Sequence, residues 1–488
     1  MIRLETLILM YLEGTFSLKK TASLAFVLFS ALAFAAPNYD ALFNASVGGQ
    51  TVFGSIIKDP SIYTRNENKL FTPASNLKIL TAYTALKKWG PDYRFKTSLF
   101  FRESDSSASI ITDLVFEGAG DPTIGMSEFN EDVMTRVRAY AKMLKERGVS
   151  EVRGPITIAS KDSRFSEIKR PQGWKKEWAI DCMGALGQSF NIWANCGTFV
   201  IKGANQGGWV EPGVTVPVKL NLRIGSTNSV QIKAIDTPTV DSAQYEMTGT
   251  IKAGAKLQAF LPIHDTANWA KRLLSIALQE QGIVVNATAL KSSRAIQSIE
   301  TYSPKLSEIL KPFMKMSMNF IGEILIRDLG ADFGPETGKL EAAGIQVILD
   351  TISDVTKVTV GTALYDGCGL SYDNRITPTV IFDVLKKLRD ESFFKEFFDS
   401  LPIAGVDGTL EDRMKKTVAA GALFAKTGTL ATASSMSGYV PRKAVGGQVL
   451  EYVPFVILSD TTHSGTSASR AVQDNVGVAL VKDVNGLR

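Results

Sequence analysis

Two side chains three residues apart supply a nucleophile and a base. They are Ser75 and Lys78, within Phe71-Thr72-Pro73-Ala74-Ser75-Asn76-Leu77-Lys78. On a helix this spacing stacks them one turn apart on one face, within hydrogen-bonding reach. A serine hydroxyl is weak at neutral pH, and a lysine amine can activate it if burial and positive neighbours hold that amine neutral. The helix N-terminus also aims backbone N–H groups at the place where an oxyanion would form. Alone, S-x-x-K more often marks an exposed serine and lysine of no consequence. Two further groups stand downstream, Ser317-Met318-Asn319 and Lys426-Thr427-Gly428-Thr429. Taken singly, Ser317 reads as an ordinary helix residue, Asn319 as a capping hydrogen-bonder and Lys426 as an edge-strand charge that guards against aggregation.

The elements that must position these side chains follow from pattern and punctuation. Pro73 suits a helix start and Gly90-Pro91 a stop, and the apolar Leu77, Ile79, Leu80, Ala82, Tyr83, Ala85 and Leu86 leave almost no polar face, which predicts a helix buried near the centre of its domain. A short helix over 38–46 and strands at 51–57 and 61–63 precede it. Strands at 95–101 and 109–116, a helix over 129–148 and a strand at 154–159 follow. From about 166 to 250 short β runs replace long helices. A helix over 268–281, strands at 283–285 and 288–290, a helix over 305–329 with Ser317-Met318-Asn319 inside it, a glycine-ended helix 337–344 and a longer one near 378–398 come next. Strands at 421–430, 434–440 and 452–458 and a helix over 466–482 close an α+β pattern. Gly118-Ala119-Gly120-Asp121-Pro122-Thr123 and Gly334-Pro335-Glu336-Thr337-Gly338-Lys339-Leu340 imitate phosphate loops, but neither has the hydroxyl residue after Gly-Lys that the motif requires.

At 488 residues and 45% hydrophobic content the chain is long enough for two or three cores. The net charge of +5 is dispersed, and no zinc spacing, RNP-like run or arginine-rich stretch points to nucleic acid. Leu18-Lys19-Lys20, an apolar run from Thr21 to Leu32 and Ala33-Phe34-Ala35 form a secretory signal cut after Ala35, with residues 1–17 lying upstream of the pattern. The run is shorter than the roughly 20 residues of a membrane span, so a soluble or loosely membrane-associated periplasmic protein without a transmembrane anchor is expected. In an oxidising compartment Cys182 and Cys196 are placed to pair, leaving Cys368 unpaired and buried. His264 and His463 are the only histidines, and neither stands in a catalytic Cys/His context.

In order along the chain, Ser75-Asn76-Leu77-Lys78, Ser317-Met318-Asn319 and Lys426-Thr427-Gly428 are the S-x-x-K, S-x-N and K-T-G set of penicillin-recognising serine enzymes. With Gly118 to Thr123, Asp366-Gly367-Cys368-Gly369-Leu370-Ser371, Asp373-Asn374-Arg375 and Leu401 to Leu410, the chain resembles the class C low-molecular-mass penicillin-binding proteins. These are D-alanyl-D-alanine carboxypeptidases/endopeptidases, also called peptidase family S13. The resemblance implies a penicillin-binding-protein/β-lactamase-like transpeptidase domain with two smaller inserted domains. Their expected limits are 36–92 and 296–488 for the catalytic domain, 93–165 and 251–295 for an α/β insertion, and 166–250 for a nested β-rich domain. It also implies Ser75 as nucleophile, Lys78 as base, Ser317 as proton relay to the leaving amine, and Asn319 holding Lys78 and the substrate amide. Lys426 and Thr427 would receive the terminal carboxylate, and the N–H groups of Ser75 and Thr429 would form the oxyanion hole, with Gly428 between them. Neither cofactor nor metal is expected. Peptidoglycan peptides would be the substrate and β-lactams covalent inhibitors, with homo-oligomers left open. Met318 stands where the family commonly has Asp, and Cys368 where it has Ser. Two rivals differ in function: a serine β-lactamase, which needs its own deacylating base, and a catalytically silent peptidoglycan-binding protein.

Overall fold

The computed structural model describes residues 37–44, 53–59, 63–167, 169–235 and 244–487. The signal segment expected before Ala36 lies outside the described residues. A five-stranded antiparallel sheet, in the order β15-β16-β17-β1-β2, organises the half of the molecule that carries the three motifs. Its strands are β1 (Phe53–Lys58), β2 (Tyr63–Arg65), β15 (Phe424–Leu430), β16 (Ala433–Lys443) and β17 (Val449–Asp460). Side chains alternate faces along a strand. Phe455 and Ile457 of β17 therefore join one core, with Val472, Val476 and Leu480 of the last helix α10 (Gly465–Asn485) and with Tyr39 and Phe43 of α1 (Tyr39–Asn44). Val456 and Leu458 face the other core, around the motif-bearing helices.

That second core encloses α2 (Lys78–Trp89), α5 (Leu306–Lys315), α6 (Asn319–Phe333), α7 (Leu340–Ser353), α8 (Pro378–Leu388) and α9 (Phe394–Asp399). Helix α2 is buried along nearly its whole length, as its apolar sequence requires, and Gly90 ends it with φ +80°. The helix expected over 305–329 is two helices. Ser317 sits between them with φ +60°, a left-handed conformation that cannot continue a right-handed helix and that turns the S-x-N triplet out of the ladder. The glycine-ended helix 337–344 is instead α7 running through Gly344. A Cβ there would lie 1.8 Å from the Ile326 carbonyl of α6, so this glycine permits a close helix crossing and does not end a helix. The helix near 378–398 is likewise two, α8 and α9.

A mixed sheet, β13-β5-β4-β3-β14 with β6 on β4, uses β3 (Lys96–Glu103), β4 (Ile110–Gly118), β5 (Glu151–Arg153), β6 (Thr157–Ser160), β13 (Val284–Asn286) and β14 (Gln297–Tyr302). It shares a core with α3 (Thr135–Glu146) and α4 (Thr266–Glu280). Residues 288–290, expected as a strand, form none. Strand β14 lies inside the range expected for the catalytic domain, yet it pairs with β3, so the mixed sheet extends to Tyr302. Two three-stranded sheets follow, β12-β7-β8 and β10-β11-β9. They are built from β7 (Cys196–Gly203), β8 (Gln206–Trp209), β9 (Val218–Ile224), β10 (Ser229–Ile235), β11 (Gln244–Ile251) and β12 (Leu257–Pro262), and they share one core. Because β12 pairs with β7, this β-rich region runs past the expected limit at 250.

Candidate active site

Ser75 occupies a 3-10 turn, Ala74–Leu77, that leads directly into α2. Ala74 is held at φ +47°, a strained conformation for a residue with a Cβ, of the kind that persists where the surroundings over-determine it. The surroundings here are the sheet. Ser435 Oγ donates to the Pro73 carbonyl at 2.8 Å. The buried Asn76 amide, with its nitrogen toward the Lys426 carbonyl (3.0 Å) and its oxygen toward Ser437 N (3.3 Å), ties the turn to β15 and β16.

Lys78 is fully buried, and its Nζ meets three groups: Ser75 Oγ at 3.1 Å, Asn319 Oδ1 at 2.8 Å and the Cys368 carbonyl at 2.6 Å. Burial lowers its pKa below the usual lysine value, against the opposing pull of Cys368, Asp366 and Glu323. Asn319 opens α6 and Ser317 precedes it, half-buried on the cleft wall.

The carbonyl that touches Lys78 is fixed by Asp366. Its buried carboxylate accepts from Trp174 Nε1 (2.8 Å), Gly369 N (2.8 Å), Ser371 N (2.6 Å) and Asn374 Nδ2 (3.0 Å). Glu323, Asp366 and Cys368 offer ligand atoms within 4.8 Å of one another. Asp366 is saturated by these four donors, however, and Glu323 is engaged by Gly367 N and Arg327, so the cluster reads as a structural support. Cys368 is a buried free thiol, and burial pushes its pKa up. Cys182 and Cys196 are disulfide-bonded, with Cα atoms 5.5 Å apart.

Strand β15 is the sheet edge and forms the opposite wall. Gly428 is there for space: a Cβ would lie 2.7 Å from Ser75 N and 2.3 Å from Ser435 Oγ. Thr427 Oγ1 is 2.6 Å from Thr409 Oγ1, and Thr429 Oγ1 accepts from Arg470 Nη2 at 3.0 Å. Lys426 departs from its expected place. It is fully buried beneath the strand, its Nζ donates to the Thr427 carbonyl at 2.7 Å, and it is not among the cleft-lining residues. Burial, then the charge of Lys78, pushes its pKa well down. For Lys78 it is burial, and not a positive neighbour, that lowers the amine's pKa. The edge-strand reading of Lys426 fails for the same reason, because a buried ammonium guards no edge.

The walls enclose a cleft of about 500 Å³ lined by Ser75, Ser317, Asn319, Thr427, Gly428 and Thr429, and by Arg413 and Arg470. A groove of about 470 Å³ continues from Ser317 and Asn319 over Met318, Trp193, Phe260 and Met183. Sequence reasoning gave no role to Thr409, although it stands in the Leu401 to Leu410 stretch, and did not single out Arg470 or the Cys368 carbonyl. Arg470 has no motif spacing, and a backbone acceptor leaves no side-chain signature.

The model of the D-Ala-D-Ala carboxypeptidase 3 (S13) family matches residues 40–482. A D-alanyl-D-alanine carboxypeptidase of Actinomadura sp. is 29% identical over 459 residues, covering 88% of this chain and 81% of that protein. The D-alanyl-D-alanine carboxypeptidase DacB of Haemophilus influenzae is 24% identical over 406 residues, covering 80% and 81%. The crystal structure of penicillin binding protein 4 (dacB) from Haemophilus influenzae superposes with a TM-score of 0.72 at 20% identity, over 91% of this chain and 99% of that one. The same protein complexed with a β-lactam gives 0.70. These likenesses establish the α+β penicillin-binding-protein fold.

Proposed function

The chain belongs to the D-Ala-D-Ala carboxypeptidase 3 (S13) family, and from that premise we propose that it is an exported serine D-alanyl-D-alanine carboxypeptidase and endopeptidase. Its substrates are peptidoglycan stem peptides and their cross-links. The observation that carries this reading is the set of partners around Lys78. Asn319 Oδ1 and the Cys368 carbonyl can only accept, so they take the two N–H bonds of a neutral amine and leave its lone pair to Ser75 Oγ. A lysine whose pKa is lowered by burial and which is oriented in this way is a base for the Ser75 proton.

Ser75 Oγ attacks the carbonyl carbon of the penultimate D-Ala as its proton passes to Lys78. The oxyanion lies between the N–H groups of Ser75 and Thr429, each such donor being worth about 3 kcal/mol of barrier. The C–N bond then breaks, Ser317 relays a proton to the leaving amine, and an ester to Ser75 remains. Water hydrolyses that ester and returns the enzyme, with no metal or cofactor in any step. Thr427 and Thr429, with Lys426 beneath them, face the terminal carboxylate. The groove beyond Ser317 and Asn319 gives a cross-linked substrate room that a single terminal alanine does not need. Periplasmic localisation rests on the sequence before Ala36, and no described helix is long and apolar enough to cross a membrane.

β-Lactams mimic the scissile D-Ala-D-Ala bond, so benzylpenicillin should form a long-lived covalent adduct that intact-mass measurement finds in wild type and not in Ser75→Ala. An adduct that persists in Ser75→Ala would refute the mechanism. Rapid turnover of the drug would favour a β-lactamase, and muropeptides left unchanged by the purified protein would favour a silent binder.

A further inference from the structure

We infer that Arg470, on the last helix, is the cationic receptor for the substrate's terminal carboxylate and sets the preference for a free C-terminus; the inference rests on the function proposed above. The side-chain alternation of β15 puts Thr427 and Thr429 on one side of the strand, away from Lys426. On that side Arg470 Nη2 donates to Thr429 Oγ1 at 3.0 Å, Thr427 Oγ1 lies 2.6 Å from Thr409 Oγ1, and all four residues line the cleft that holds Ser75. A carboxylate arriving there meets two hydroxyls and a guanidinium.

The neighbouring charges are already committed. Arg413 pairs with Asp474 at 2.7 Å and donates to the Arg470 carbonyl and to Gln473. Asp412 pairs with Lys415. Among the described residues no carboxylate lies within ion-pair distance of Arg470, which is exposed to solvent. Lys426 cannot take the role directly, because its ammonium is buried and bonded to the Thr427 carbonyl. Burial also drives Lys426 toward its neutral form. A guanidinium stays charged at every working pH and presents a planar fork that matches a carboxylate. Arg470 thus acts on substrate binding, while Lys426 acts through the strand it supports.

The test uses two matched acyl-D-alanyl thioesters, one with a thioglycolate leaving group and one with its neutral primary amide. Wild type should prefer the anionic ester. Arg470→Ala should lower kcat/KM for the anionic ester by about 10- to 100-fold, mainly through KM, and leave the neutral ester within about threefold of wild type. Arg470→Lys should recover part of the preference by restoring charge without the fork. Lys426→Gln should slow both esters together. Because Arg470 is exposed, a melting temperature close to wild type should accompany its loss. An unchanged ratio of the two esters in Arg470→Ala, or an equal fall for both, would overturn the inference while leaving the proposed function standing. A wild type that cleaves neither ester and takes up no penicillin would overturn both.

Discussion

Gly428→Ala should slow acylation of Ser75 while leaving the protein folded. The new methyl carbon would sit 2.7 Å from Ser75 N, 2.3 Å from Ser435 Oγ and 3.0 Å from Ala74 Cβ. Ser435 can swing its hydroxyl away, at the cost of its 2.8 Å bond to the Pro73 carbonyl. The backbone nitrogen of Ser75 cannot swing. It must separate from β15 by about 0.7 Å to reach ordinary contact distance, and misplacement on the order of 1 Å at a reacting centre costs about 100-fold in rate. Overpacking of this size destabilises by about 1–3 kcal/mol, small enough for the fold to survive. The second-order rate of benzylpenicillin acylation, followed by intact mass on protein with a verified melting transition, should fall about 100-fold. A rate within about threefold of wild type would show that the strand has slack here and that the closeness of Gly428 to Ser75 does not set the oxyanion geometry.

Lys78→Ala should abolish acylation by peptide and penicillin alike, whereas Lys426→Gln should retain a slow reaction. Because burial lowers the Lys78 amine, the rising limb of the wild-type pH–rate profile should lie below the ordinary lysine range, and a limb at or above that range would count against the base assignment. Thiol titration of the denatured, non-reduced protein should find one free cysteine, Cys368; three would remove the Cys182–Cys196 bond. His264 is buried with its pKa lowered to about 4 from 6.5, so it favours the folded state above pH 6.5, and that contribution is lost as pH falls toward 4. Its loss amounts to about 3 kcal/mol. Urea denaturation between those pH values should therefore show a shallower pH dependence in His264→Gln, and an identical slope would refute the assignment.

The nearness of Ser75 to Lys78 was legible because i and i+3 meet on any helical turn, even though the turn here is 3-10 at Ser75 and α-helical only from Lys78. The S-x-N triplet was legible as a motif but misread as structure. Its apolar flanks continue a helical period on both sides, and nothing in Lys315-Met316-Ser317 announces a left-handed residue. The expected limits at 250 and 296 set β12 and β14 apart from the strands they pair with, since a strand's sheet is decided by its distant partner. Asp366 stood in a recognised stretch, yet its work is to saturate four donors, a fact carried by the fold of the loop.

The depth at which each cation sits separates the roles of the charged groups more sharply than the motifs do. Lys78 and Lys426 are both sealed beneath the cleft, where desolvation disfavours the ammonium, and each amine donates to a backbone carbonyl. For Lys78 this is what a base requires. For Lys426 it means that a carboxylate in the cleft meets Thr427 first, with the amine behind the strand. The group that keeps its charge in solvent beside the same strand is Arg470, anchored to Thr429 and without an acidic partner among the described residues. A cleft built this way divides the work: burial makes the amine that takes the proton, and exposure preserves the charge that recognises the substrate.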